Sequence, residues 1–173
     1  VDEDYFENCV GGGGSVSSSN SAVDSAMVAE MIQVALSNSV SIGVGDYYGG
    51  GVVGYIFQEG DEGYVEGEIH GYTVYRPNLQ LAWGCSGADM LALDNNDGLY
   101  NTQQIVLNCS ELSPASYCYN LERLGYDDWY LPSAEELLKL DNYACLMNGD
   151  YWSSTETEDL HAKVVLFHCD QGY

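Results

Sequence analysis

The chain has 173 residues, 46% of them hydrophobic, and sets 27 acidic residues against four basic ones for a formal charge of −23. That length supports one domain with a real core plus an extension rather than two comfortable domains. The charge repels phosphate backbones and anionic membrane surfaces, which excludes nucleic acid as a partner, and no apolar run approaches the ~20 residues that cross a bilayer, so no membrane insertion is expected.

In chain order, the first unit is 1–24, an acidic arm followed by a Gly/Ser-rich linker. Its stretch Gly11 to Asn20 contains four consecutive glycines and four serines, a composition that buries too little apolar surface to fold alone. It reads as a flexible linker or as an arm that orders only against a partner. The second unit, 25–38, places Met27, Val28, Met31, Ile32, Ala35 and Leu36 at helical spacing behind Asp24 or Ser25 as a cap. A short one-stripe helix of this kind packs on its own domain or serves as a stalk meeting copies of itself.

The third unit, 40–173, is the domain proper. Val52 to Phe57, Tyr64 to Ile69 and Tyr72 to Tyr75 are rich in β-branched and aromatic residues and predict strands. Thr102 to Asn108 predicts a short helix capped by Asn101 or Thr102. Ser113-Pro114 is a strong helix start, with Gly125 as its close and Ala115, Cys118 and Leu121 on one face. Ser133 and Glu136 have capping-box spacing, which predicts a third helix to about Leu146 with Leu137, Leu138, Ala144 and Cys145 inward. Asn148-Gly149-Asp150 predicts a turn, and Tyr151 to Ser154 and Ala162 to Phe167 the last strands. Strands, then helices, then strands suit an α+β fold with helices flanking a mainly antiparallel sheet.

Several blocks of this domain resemble the Lcl C-terminal domain family, first seen at the end of a bacterial collagen-like adhesin. Gly125-Tyr126-Asp127-Asp128-Trp129-Tyr130-Leu131-Pro132-Ser133-Ala134-Glu135-Glu136 and Tyr151-Trp152-Ser153-Ser154-Thr155-Glu156 are similar to its paired motifs. Gly50-Gly51-Val52-Val53-Gly54-Tyr55-Ile56 is similar to its opening strand, and Trp83-Gly84-Cys85 to its middle motif. Asn101-Thr102, Ile105, Cys109, Cys118 and Leu121 follow in the family's order, so the likeness spans about Asp46 to Lys163. It implies a C-type-lectin-like fold with Trp83, Trp129 and Trp152 in the core. Gly54 stands where the family usually has an aromatic residue. The family's closing strand is missing after Tyr173: either the chain is truncated there or something else covers that sheet edge, and an exposed edge invites pairing with another chain.

Six cysteines, Cys9, Cys85, Cys109, Cys118, Cys145 and Cys169, form no C-x-x-C pair, so disulfides are favoured over zinc or redox chemistry. Disulfides imply an oxidising compartment: extracellular, on a cell surface or on a virion surface. The residues leave the connectivity open. The resemblance implies Cys85 with Cys109, since those two recur in the family's motifs.

Catalytic signals are weak. There is no H-E-x-x-H, no complete nucleophile elbow and no phosphate-binding loop, and the odd spacing of His161 and His168 puts them on opposite faces of one strand. No enzyme and no cofactor are expected, calcium excepted. Asp94-Asn95-Asn96-Asp97-Gly98 offers hard oxygens from Asp94, Asn96 and Asp97, although Asn and Asp also simply make turns. A second acidic run, Glu59, Asp61, Glu62, Glu66 and Glu68, could gather calcium or form a solvated hairpin.

Recognition is the stronger theme. Fifteen tyrosines and three tryptophans supply flat rings with polar edges that stack on sugars or anchor protein contacts. The candidates on predicted turns are Tyr47, Tyr48, Tyr100, Asp127, Asp128, Asn148, Asp150, Glu156, Glu158 and Asp159. The expected function is a non-enzymatic recognition module, as on a phage fibre tip or bacterial adhesin, binding a neutral glycan or a protein receptor. The alternative is a structural subunit of a filament, appendage or capsid surface, a homo-oligomer or larger assembly joined through the arm, the open edge and Cys9.

Overall fold

The computed structural model describes residues 5–6, 9–12, 41–77, 79–85, 87–140, 149–157 and 161–167, with backbone alone for 5–6. The strands are β1 (Tyr5–Phe6), β2 (Cys9–Gly12), β3 (Tyr47–Tyr48), β4 (Gly51–Ile56), β5 (Gly71–Tyr75), β6 (Trp129–Tyr130), β7 (Gly149–Glu156) and β8 (Ala162–Phe167). Three short helices, α1 (Gly98–Asn108), α2 (Pro114–Tyr119) and α3 (Ala134–Lys139), fall between β5 and β7. A five-stranded sheet runs β3-β4-β5-β2-β6 with every pairing antiparallel. A three-stranded sheet runs β1-β7-β8, antiparallel between β7 and β8 and parallel between β1 and β7. The fold class is α+β with mainly antiparallel sheet, as the pattern of elements predicts.

The start of the chain corrects the expectation of a free arm. Cys9 to Gly12 is a strand inside the five-stranded sheet, with β5 on one side and β6 on the other. A glycine-rich stretch needs no large side chains when ladder bonds satisfy its backbone on both flanks, and here the neighbouring residues add burial. Cys9 and Val10 are fully buried and, being consecutive in a strand, face opposite sides. Val10 joins a cluster with Val74, Leu137, Leu140, Tyr151 and Phe167. Cys9 joins another with Met90, Ile105, Cys118, Trp129 and Leu131. The remaining arm, the linker to residue 40 and the expected helix at 25–38 lie outside the described residues.

Two disulfides tie these parts together. Cys9 is bonded to Cys118, 109 residues away, and Cys85 to Cys109, with Cα separations of 5.4 and 5.5 Å. The second is the pairing implied by the family motifs. The first occupies the thiol expected to lock subunits together. Cys145 and Cys169 lie outside the described residues.

Helix signals hold where the cap chemistry is local. Ser113 accepts from the Ser116 amide with Pro114 at the first helical position, and Ser133 and Glu136 form a reciprocal capping box. The first of these helices stops at Tyr119, short of Gly125. The second stops at Lys139, with Leu137 and Leu140 buried and Leu138 exposed rather than inward. Residues 141–148, including Ala144, lie outside the described set. In α1 the cap is Asp97, whose Oδ1 accepts the Tyr100 amide at 2.8 Å, one turn before the expected one. Asn101 and Thr102 sit buried inside that helix. Asn101 pairs with both backbone groups of Asp94, and the Thr102 hydroxyl accepts from the Leu131 amide and donates to its carbonyl.

One strand expectation and one turn expectation fail. Tyr64 to Ile69 belongs to a loop of successive turns, with Gly63 and Gly67 at left-handed φ of 86° and 81°. Asp150, expected on a turn, is instead the second residue of β7, opposite Leu166. Trp129 is 1% exposed, while Trp83 and Trp152 are half-buried and donate to the Ser153 and Leu81 carbonyls. Among the described residues, no helix is long and apolar enough to cross a membrane.

A candidate binding cleft around Glu136

The capping box of α3 does more than start a helix. Glu136 Oε2 reaches back to accept the Ser133 amide at 2.7 Å, which turns the carboxylate toward the sheet. There Glu136 Oε1 accepts the Tyr130 hydroxyl from β6 at 3.0 Å and meets the Tyr72 hydroxyl from β5 at 3.5 Å. Gly98 is required beneath it, since a Cβ there would overlap the Glu136 carboxylate and crowd the Ser133 amide. Burial pushes the Glu136 carboxyl up, against the lowering pull of the Ser133 amide and Tyr130. Burial first, then the Glu136 charge, pushes both the Tyr72 and Tyr130 phenols well above their ordinary range. Both therefore stay protonated at neutral pH and act as fixed donors.

One turn along α3, Lys139 extends over the loop at 57–70. Its Nζ lies 2.8 Å from Asp61 Oδ1, and Asp61 Oδ2 accepts the Gln58 amide and the Tyr55 hydroxyl, each at 2.8 Å. The Gln58 amide above all, with Lys139, draws the Asp61 carboxyl down to about 2, and the bond to Asp61 raises the Tyr55 phenol. Tyr55, Phe57 and Tyr72 form an aromatic cluster, with Phe57 edge-on to Tyr72 at 4.8 Å.

Asp61, Glu62, Asp97, Tyr130, Glu136 and Lys139, with Tyr72, line a cleft of about 440 Å³. Five groups whose protonation is displaced, Tyr55, Asp61, Tyr72, Tyr130 and Glu136, lie in or directly beside it. Such concentration is characteristic of working sites. The floor is internally satisfied, so a ligand meets the exposed acceptors of Glu62, Asp97 and Glu135 along the rim, beside the Lys139 ammonium. These groups suit hydroxyl donors.

The expected site residues do not converge on one place. Tyr47 is 85% exposed on β3 and Tyr48 is half-buried beside it. Tyr100 stands exposed on the first turn of α1, and Asp127 and Asp128 are exposed just before β6. Asp150 is half-buried in its strand. Glu156 is 2% exposed and its carboxylate accepts the Met90 amide, so it holds the loop at 88–92 against β7 and is closed to ligand. Asn148, Glu158, Asp159 and His168 lie outside the described residues.

The loop proposed for calcium spends its oxygens on itself. Asp94 Oδ1 accepts the amides of Asn96 and Asp97, and Asp97 caps α1. Asn96 and Asp97 line the cleft without forming a cage. Among the described residues, no group of three or more His, Cys, Asp or Glu side chains is placed to hold a metal ion.

Sequence reasoning read Ser133 and Glu136 as a cap but missed the cleft that they build. Its parts come from remote segments: 64 residues separate Tyr72 from Glu136, and 78 separate Asp61 from Lys139. The one available signal was the capping box itself, which aims a carboxylate back over the helix start. No protein-family model, curated protein or solved structure matches this chain.

Proposed function

We propose that this chain is a non-enzymatic recognition module of the C-type-lectin-like kind, acting outside a cell or on a virion surface, and that it holds a neutral glycan or a protein receptor in the cleft above Glu136. The observation that carries this reading is the grouping of five titratable groups with displaced protonation around that cleft, where Tyr72, Tyr130 and Lys139 meet the Glu136 and Asp61 carboxylates. Phenols kept protonated and a carboxylate already hydrogen-bonded make a rigid polar floor, which favours contact over turnover. The Lcl-like block supports the same site, because its Trp129-Tyr130 forms β6 and its Ser133 and Glu136 form the box. Two disulfides support an oxidising compartment. Sulfated glycans are disfavoured, since the rim and the whole surface repel anions.

A glycan array carrying neutral and sulfated sugars tests the reading. Binding to neutral glycans that weakens several-fold in Glu135→Ala and Glu62→Ala, with sulfated glycans silent, is the expected result. Chemical turnover of a bound glycan, or binding indifferent to both substitutions, would overturn it.

A further inference from the structure

We propose that a second cavity, on the β4–β5 hairpin and separate in its chemistry from the polar cleft, binds one small planar apolar molecule carrying a basic amine. The cavity has a volume of about 400 Å³ and is lined by Ile42, Tyr48, Val53, Ile56 and Ile69 together with Tyr55 and Tyr72. It forms where β4 is irregular: the register with β5 shifts between Val53 and Tyr55, and the chain at 67–70 leads into β5, with the bond from the Phe57 amide to the His70 carbonyl at 2.8 Å extending the pairing past Ile56 and Gly71. Protein interiors rarely leave voids larger than a water molecule. Concave apolar spaces of roughly 300–1,000 Å³ are the size that small ligands fill. Water against such a lining finds few partners, so an apolar ring gains by displacing it.

The polar groups among the lining side chains select the ligand's charge. The lining contains Glu68 and His70, held to each other at 2.8 Å with the Glu68 side chain half exposed, and it contains neither lysine nor arginine. An anionic head group, such as a fatty-acid carboxylate, therefore meets a carboxylate and no counter-charge, on a chain whose formal charge is −23. An ammonium meets Glu68 and the faces of tyrosine rings, and cations are attracted to such faces.

Proflavine, a planar cation, and anilinonaphthalene sulfonate, a planar anion of similar size, are the probes. Fluorescence titration at physiological ionic strength is expected to show proflavine bound at one site per chain and the anion unbound. Ile69 lines the cavity and is 53% exposed, so Ile69→Lys leaves the core intact and sets a like charge against the ligand's amine, and it should weaken proflavine ~10-fold or more. Glu68→Gln should weaken it by roughly 2- to 5-fold, the range of an exposed ion pair. Methyl NMR of the wild-type chain provides a readout free of mutation: proflavine should shift the resonances of Ile42, Val53 and Ile69. Equal binding of both dyes overturns the proposal. So does proflavine binding that is unmoved by Ile69→Lys or spread over many salt-sensitive sites, as does a cavity that admits neither dye because another part of the chain or a second copy fills it.

Discussion

Cys9 and Cys118, 109 residues apart, are joined so that strand β2 is stapled to helix α2 with their Cα atoms 5.4 Å apart. Closing so long a loop restricts the unfolded chain strongly, and on a chain-entropy account the bond contributes about 4–5 kcal/mol. Replacing both residues by serine is expected to cost about 2–5 kcal/mol by chemical denaturation and to expose β2 to amide exchange. Peptide mapping without reductant should recover Cys9 with Cys118 and Cys85 with Cys109. A Cys9 found joined to a second copy of the chain would contradict the intramolecular staple.

Glu136 and Asp61 give stability opposite pH dependences. The folded Glu136 carboxyl titrates above its ordinary value of 4.5, so its ionised form is a cost at neutral pH that disappears as pH falls through the raised value toward 4.5. Asp61 titrates at about 2 against an ordinary 3.8, so its contribution is complete above 3.8 and is lost as pH falls from there toward 2. Stability should therefore rise on mild acidification and fall below about pH 4. Glu136→Gln keeps an acceptor for the Ser133 amide and should flatten the upper limb alone. Asp61→Asn should flatten the lower limb alone. Thermal melts across pH separate the two.

Glu156 is a structural carboxylate, and two substitutions distinguish that from a binding role. Glu156→Ala leaves the buried Met90 amide without its acceptor and is expected to cost about 1–3 kcal/mol in urea titration. Glu156→Gln retains one acceptor and should cost less. Neither should alter glycan binding except by unfolding the domain.

Gly54 stands where the packing leaves little room for a side chain. A Cβ at that position would lie 2.6 Å from Val74 Cγ2 and 2.8 Å from Leu140 Cδ2, inside the contact that joins β4 to α3 and its C-cap. Gly54→Ala should cost about 1–3 kcal/mol through overpacking. Gly43→Ala, whose Cβ meets only the Asp46 carboxylate at 3.6 Å, should be close to neutral.

Ser153 and Ser154 are adjacent and both fully buried, yet they should respond differently to alanine. Ser153 Oγ donates to the Lys163 carbonyl at 2.8 Å and accepts from the Thr155 amide at 3.2 Å. Ser154 Oγ is the one buried side-chain oxygen without a hydrogen-bond partner among the described residues. Ser153→Ala is expected to cost about 1–3 kcal/mol, and Ser154→Ala to be neutral or stabilising, since it removes an unsatisfied polar atom. Differential scanning calorimetry of the pair checks this.

The sequence by itself determined the features whose physics is local. Ser113-Pro114 and the Ser133–Glu136 box each satisfy amides within one turn, so both helix starts were legible. Richness in β-branched and aromatic residues marked β4 and β5, and β8 was expected at Ala162 to Phe167. The family-like motifs implied Cys85 with Cys109. Only the tertiary structure decided that Cys9 to Gly12 is a strand. Its glycines carry no side-chain signal, and its ordering comes from ladder bonds to β5 and β6, at least 60 and more than 100 residues away. The same holds for the cleft: Tyr72, Tyr130 and Glu136 acquire their shifted protonation from burial against one another, a property that no one of their local segments contains.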